Sequence, residues 1–365
     1  MSSVPSRYHP CSGCGAKLEF APGTLALQCP YCGAQNAIAQ DSSDQKAQAL
    51  ERLDFLAYLK EQAGNEPQLE RQTVKCPGCG AAVQLPANVT ADRCPFCAGP
   101  LVATGAYAHR TIAPRAVAPF VIKQTQARES FKQWLSGLWF APNALKQAAH
   151  AETGIKGVYL PYWSYDANSH TPYTGERGQV YFEEERYVED GREKLRQVER
   201  VRWSPTSGQV NVPFSDITVS ASGSVPKQFV NGLLPWRLDL LSAYNEDFVT
   251  GFTVEAYQIG LEPGFGLAQQ QMEGGIREAI CRDIGGDRQR IISMAPQYSE
   301  IAFKHILLPI WLSSYRYADK TFRFIVNGQT GTVQGERPWS VWKIIGAAVA
   351  VIIVLVVVAA IRHHH

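Results

Sequence analysis

Cys11-Ser-Gly-Cys14-Gly-Ala and Cys29-Pro-Tyr-Cys32-Gly-Ala return further along as Cys76-Pro-Gly-Cys79-Gly-Ala and Cys94-Pro-Phe-Cys97-Ala-Gly. Each cysteine of the second set follows its counterpart at one constant interval, and the gap from Cys14 to Cys29 equals that from Cys79 to Cys94. This is an internal repeat of sequence as well as composition. Two thiolates three residues apart grip one ion from a tight turn, and glycine after the second cysteine lets the backbone curl round it. Two such turns complete a tetrahedral shell with no open corner, which makes a structural site; catalysis needs a vacant or water-filled position. The candidate ligands are Cys11, Cys14, Cys29 and Cys32 for one ion, and Cys76, Cys79, Cys94 and Cys97 for the other. A redox Cys-x-x-Cys belongs at a strand-to-helix junction of a βαβ unit, and none is visible here. Two structural Zn2+ ions are therefore expected.

Short strands between the turns are expected at Leu25–Gln28 and Ala82–Leu85. With them, each module resembles the zinc ribbons of transcription factor IIB and of rubredoxin-like proteins over about thirty residues. Modules this small bury too little surface to fold alone, and the metal supplies most of their stability. Residues 1–104 hold eight Lys/Arg against nine Asp/Glu. Each occupied site adds two negative charges, giving about −5, the wrong sign for a phosphate backbone. Protein binding or domain organisation is the expected role of the ribbons, and nucleic acid is disfavoured. Thiol chemistry of this kind, with no secretory leader visible, points to a reducing compartment.

At the other end, Ile344–Ile361 runs without one charged or hydrogen-bonding side chain. As a helix it would extend about 27 Å, close to a bilayer's hydrocarbon thickness. Trp339 and Trp342 stand where an aromatic belt would lie, and Lys343 and Arg362 flank the run. The expectation is one C-terminal transmembrane helix (339–362) and a single-pass protein of the inner (cytoplasmic) membrane, its N-terminal bulk in the cytoplasm.

The middle, 105–338, reads as one or two α+β domains with antiparallel sheets. Thr125–Leu138 is an expected helix capped by Thr125, with Ala127, Phe131, Trp134, Leu135 and Leu138 on one face. Gly266–Ile284 is another, with Met272, Ile276, Ile280 and Ile284 recurring at every fourth position and Gly285-Gly286 as its stop. Cys281, without a ligand-spaced neighbour, is expected to be buried packing. Tyr181–Trp203, around Glu189-Asp-Gly-Arg192, is a long charged hairpin, and Ile301–Val333 a meander turning at 318–320 and at Asn327-Gly328. Leu160-Pro-Tyr-Trp163 and Leu308-Pro-Ile-Trp311 echo one another as two related sheet entries, with proline at an edge or bulge and tryptophan in the core. Asp44–Gly64 reads as a helical spacer. The resulting layout is multidomain: zinc ribbon 1 (1–40), a helical linker (41–70), zinc ribbon 2 (71–104), the α+β region (105–338) and the anchor (339–362).

No phosphate loop, dinucleotide fingerprint, His-Glu-x-x-His or Gly-x-Ser-x-Gly is present, and the histidines keep no ligand or triad spacing. Formal net charge is +2, so no global field invites a polyanion. No catalytic residue, cofactor-binding residue or small-molecule substrate is expected.

The paired ribbons, Gly157-Val-Tyr-Leu-Pro-Tyr-Trp163, Ile284-Gly-Gly-Asp287, His305-Ile-Leu-Leu-Pro-Ile-Trp311, Val326-Asn-Gly-Gln-Thr-Gly331 and Gly335-Glu-Arg-Pro338 sample most of the chain. Together they resemble the bacterial zinc-ribbon membrane proteins associated with PspA-type and SPFH/flotillin-like envelope-stress proteins. That family is often labelled primosomal protein N′ or helicase-like because of its ribbons. The resemblance implies a non-enzymatic adaptor at the cytoplasmic membrane face that recruits PspA-like or SPFH-type partners. The alternative is a membrane-tethered zinc-ribbon nucleic-acid-binding protein without helicase activity, since no nucleotide-binding loop is present.

Overall fold

The computed structural model describes residues 10–38, 47, 50–61, 68–84, 91–97, 99–102, 107–139, 154–189, 192–317, 320–336 and 340–363. Strands β1 (Glu19–Phe20), β2 (Ala26–Gln28) and β3 (Gln35–Ala37) form a small antiparallel sheet beside the first cysteine set. The linker supplies β4 (Leu53–Asp54) and α1 (Phe55–Glu61). Around the second cysteine set run β5 (Gln68–Lys75), β6 (Ala82–Gln84), β7 (Ala91–Arg93), β8 (Pro100–Val102) and β9 (Tyr107–Ile112). The body begins with β10 (Ala116–Val117), α2 (Gln124–Ser136), β11 (Lys156–Glu189) and β12 (Arg192–Ser220). It continues through α3 (Lys227–Gly232), β13 (Ser242–Ala243), α4 (Glu246–Val249), β14 (Thr253–Glu255) and α5 (Leu261–Ile284). Then come β15 (Arg288–Met294), β16 (Gln297–Tyr317), β17 (Lys320–Asn327), β18 (Val333–Gly335) and α6 (Val341–His363).

Thirteen of these strands make one mixed sheet, whose spine reads β13-β10-β16-β11-β14-β6-β5-β9. The fold is therefore mostly sheet, and the expected succession of ribbon, linker, ribbon, α+β region and transmembrane helix needs correcting. Ribbon 2 is built into the body: β6 pairs with β14 at Val254↔Gln84 and Glu255↔Val83. The linker joins the same sheet, because β4 pairs with β16 at Phe303↔Leu53. Where Asp44–Gly64 was expected to be one helix, Ala47 and Leu50 are helical, β4 interrupts, and Phe55–Glu61 is helical again; 44–46, 48–49 and 62–64 lie outside the described residues.

At the centre β11 and β16 run antiparallel, with Leu160 opposite Leu308. Alternation sorts their apolar residues onto two faces. Tyr159 and Trp311 join a core with ribbon 1 and α2, while Val158, Leu160, Tyr162, Ile306 and Leu308 join another with ribbon 2 and α3. β17 obeys the same rule, Phe324 and Val326 on the first side and Ile325 on the second. The two four-cysteine modules thus sit on opposite faces of one sheet.

The Leu-Pro-x-Trp echo marks a pseudo-two-fold relation. β14 adds parallel to β11 at Val158↔Thr253, and β10 adds parallel to β16 at Ala116↔Ile306. Trp163 Nε1 donates to Ile259 O at 2.9 Å, and Trp311 Nε1 to Ile122 O at 2.8 Å. Trp163 contacts Tyr257 and Trp311 contacts Phe120 at ring-centroid distances of 5.0 and 4.8 Å. Each short strand leads into a helix on the same face, whose buried residues Ala127, Phe131 and Leu135 of α2 match Gly264, Ala268 and Met272 of α5. The prolines do not mark the sheet edge. Each stands one residue before the ladder to a return strand, which starts at Tyr162↔Ser220 in one half and at Ile310↔Asn327 in the other.

Helix α2 spans Gln124–Ser136, and its N-cap is Lys123 in place of the expected Thr125. The Lys123 N–H donates to Gln126 Oε1 at 2.8 Å. Helix α5 starts earlier than expected, at Leu261, and Cys281 is half-buried. The charged hairpin is the far end of a much longer one, with register continuous from Tyr162↔Ser220 to Glu189↔Arg192 except for one bulge; residues 190–191 lie outside the described set. The expected turn at 318–320 falls largely on residues 318–319, also outside it.

The expected anchor is overturned. Among the described residues no helix is long and apolar enough to cross a membrane. Trp339 lies outside the described residues. The transmembrane helix over 339–362 and the single-pass inner-membrane placement fall together.

Candidate metal centres

Each cysteine pair is held by the same turn. Cys11 N–H donates to Ala16 O at 2.7 Å and Gly15 N–H to Cys11 O at 2.8 Å. Cys29 repeats this with Ala34 and Gly33, and Cys76 with Ala81 and Gly80. The glycine after the second cysteine has φ of +73° at Gly15, +76° at Gly33 and +77° at Gly80, the left-handed region that side chains resist. In the fourth turn Ala98 takes that position and lies outside the described residues; Cys94 N–H still closes the turn on Gly99 O at 2.8 Å.

All eight cysteines expected as ligands come together in two groups of four, each with its sulfur atoms within 4.8 Å of one another. Cys11 and Cys32 Sγ are 3.4 Å apart, and Cys14 and Cys29 Sγ 3.5 Å. In the second group Cys76–Cys97 measures 3.5 Å and Cys79–Cys94 3.7 Å. A tetrahedral ion with metal–sulfur bonds of about 2.3 Å needs sulfur separations of about 3.8 Å, so both groups fit one ion each.

Electrostatics inside the groups point the same way. Backbone N–H groups, that of Cys32 first, hold the Cys29 thiol down at about 6, and the Gly13 N–H does the same in direction for Cys11. Against the Ala16 N–H, sharing protons with Cys29 and Cys32 drives Cys14 up to about 12. In the second group burial, with the neighbouring sulfur of Cys97, pushes Cys79 up to about 11. Four thiolates cannot be packed into so small a space unless a cation neutralises them. Cys11 and Cys29 are buried in one core, Cys76 and Cys94 in the other, so each site is part of the packing.

Two polar clusters were not visible in the sequence, because their members are scattered along it. Glu255, 1% exposed at the end of β14, accepts from Gln258 Nε2 at 2.9 Å and from the Ser224 hydroxyl. Burial raises its carboxyl to about 7, with Ser222 and Ser224 opposing. The second cluster fastens the linker. Arg52 Nε lies 2.5 Å from Asp166, whose other oxygen accepts from Asp216 N–H at 2.6 Å. Burial works against ionisation of Asp216, but the Lys304 ammonium at 2.8 Å and the Ser164 hydroxyl hold its carboxyl below the usual range. His305, fully buried against Trp163 and Tyr257, is pushed down to about 3 by burial and stays neutral, its Nδ1 3.1 Å from Ala113 O.

Comparison with known proteins finds a distant relative to set beside this geometry. The chain is 25% identical over 342 residues to an uncharacterized protein, YdjG, of Bacillus subtilis (strain 168), covering 92% of this chain and 91% of the relative. No protein-family model matches, and no solved structure matches.

Proposed function

We propose that the chain is a non-enzymatic scaffold, stapled by two structural Zn2+ ions, that gathers protein partners. The observation that carries this reading is the placing of two four-sulfur sites in the cores on opposite faces of one sheet. Four cysteines saturate a tetrahedral ion, leaving no corner for substrate or activated water. Zinc suits an all-thiolate tetrahedral shell and adds no redox chemistry. What such ions supply is rigidity: they fix short turns that carry exposed side chains such as Tyr31, 83% exposed beside Cys32. The partners implied by the sequence resemblance, PspA-like and SPFH-type proteins, are the first to try.

The test uses the purified full chain. Elemental analysis is expected to give two zinc ions per chain, and pull-down with a purified PspA-like or SPFH-type protein to succeed for the zinc-loaded form and fail after chelation. Absence of tightly held zinc, or tight salt-sensitive binding to DNA or RNA in place of protein capture, overturns the reading.

A further inference from the structure

Beyond Gly178, where β15 ends its pairing with β11 at Arg288, the hairpin continues with no further strand on either outer edge among the described residues, although the Val180 N–H is taken by Asp287 Oδ2 at 2.8 Å. Over 179–188 and 193–202, β11 and β12 pair with each other alone, about 33 Å of ribbon at about 3.3 Å per residue. Open edges of this length present unpaired N–H and C=O groups, a template for another strand. The two edges differ in charge. In 179–188, Glu183, Glu184 and Glu185 stand against Arg186, a balance of −2. In 193–202, Lys194, Arg196, Arg200 and Arg202 stand against Glu193 and Glu199, a balance of +2. Inside the ribbon this difference is already used: Arg196 meets Glu185 at 2.6 Å and Arg200 meets Glu183 at 3.1 Å. Among the described residues the acidic strand thus has a basic strand on one side and no strand on the other. One face also leaves Phe182, Val188 and Leu195 at 65%, 70% and 62% exposure, on the same side because Leu195 stands opposite Arg186.

We propose that this ribbon pairs edge to edge with the ribbon of a second copy of the chain, the acidic edge of β11 in one copy against the basic edge of β12 in the other. The proposal stands apart from the partner reading above. Opposite charges across neighbouring strands attract, and an acidic strand between two basic ones extends the alternation already present. If the ribbons enter from opposite ends, the bodies lie at the two ends of a shared four-stranded sheet and do not collide. A third copy would be offset from the first by about 19 Å, four strand spacings of about 4.8 Å. A folded chain of this length is roughly 50 Å across, so growth stops at two.

The experiment is sedimentation of the full zinc-loaded chain at low and high salt, beside two variants. One shortens the ribbon by joining Gly178 to Trp203 through Asn-Gly; the other carries Glu183→Gln, Glu184→Gln and Glu185→Gln. The wild type is expected to dimerise at low salt and to weaken at least tenfold in 0.5 M NaCl. The neutralised variant should dimerise at least tenfold more weakly with little salt dependence, and the shortened one should be a monomer that keeps a cooperative unfolding transition. A wild-type chain monomeric at 100 µM in low salt overturns the proposal. Association that persists in the shortened variant overturns it too, because another surface, such as the exposed aliphatic side chains of α6, would then be responsible.

Discussion

At the scale of single residues, glycines separate two kinds of constraint. A Cβ added at Gly80 meets nothing within 4 Å, so Gly80→Ala tests backbone conformation alone, φ being +77°. We expect a loss of about 1–2 kcal/mol, read by denaturant titration of the zinc-loaded chain. At Gly157 the backbone is ordinary, but a Cβ would overlap Phe252 Cδ1 in the aromatic packing around Trp311. Gly157→Ala is expected to cost about 1–3 kcal/mol by overpacking, with zinc content unchanged. Glu255 makes stability depend on pH near neutrality. Its folded value of about 7 lies above the ordinary 4.5, so the native state holds the proton more tightly. Below about pH 4.5 both states are protonated and burial costs nothing extra; from there stability is lost progressively as pH rises through about 7, by about 3 kcal/mol in all. Glu255→Gln should flatten the difference between pH 6 and 8 and make the variant the more stable of the two at pH 8. Parallel curves for variant and wild type would show that the carboxyl stays ionised at no cost.

At the scale of elements, the pseudo-two-fold relation is the testable feature. Trp163 and Trp311 make the same indole bond, each to the carbonyl of the residue just before a helix N-cap, Ile259 or Ile122. Removing that donor strands a carbonyl and leaves a void. Trp163→Phe and Trp311→Phe should therefore cost similar amounts, about 2–3 kcal/mol each by chemical denaturation. A difference above about 2 kcal/mol would mean that the two halves share register but not energetics. The sequence displayed this relation most openly in Leu160-Pro-Tyr-Trp163 and Leu308-Pro-Ile-Trp311. The other matched positions mix like pairs, Phe120 with Tyr257 and Ile122 with Ile259, with unlike ones such as Ala127 with Gly264 and Phe131 with Ala268, so the likeness is too sparse to stand out in the sequence. Helix α5 was legible because Met272, Ile276, Ile280 and Ile284 recur at helical spacing and all four are buried. The start of β11 was legible as strand, Leu160-Pro-Tyr-Trp163 reading as a sheet entry; which cores cover it was not, since Val158 to Tyr165 is apolar on both sides and lacks the period of two that tells an inner face from an outer one. The tail illustrates the opposite error, since uniform apolarity over Ile344–Ile361 describes composition and leaves the element's surroundings open.

At the scale of the whole molecule, the metal sites were readable because four ligands at fixed spacing are a local pattern, whereas their attachment to the body is a long-range one. From the sequence alone each ribbon looks separable, and metal loss should release residues before about 105 and spare the rest. The ladder between β6 and β14 changes that expectation. Ala256 N–H donates to Ala82 O at 2.9 Å, and Phe20 N–H of ribbon 1 donates to Thr250 O at 3.0 Å, so both modules hold the segment 250–256. Chelation followed by hydrogen exchange should therefore expose three regions: ribbon 1, ribbon 2 and this segment of the body. Val158–Trp163 and Ile306–Trp311, paired with each other over most of their length, should keep their protection. Release should also be ordered in time. Cys14 and Cys32 are exposed while Cys79 and Cys97 are half-buried, so a chelator reaches the first ion sooner, and exchange in 10–38 should rise before that in 68–84. Synchronous loss of both ions with collapse of protection at Leu160 would show a body that cannot stand without its staples. Unchanged exchange at 253–255 would show that the ribbon-to-sheet ladder contributes nothing to holding β14 in place.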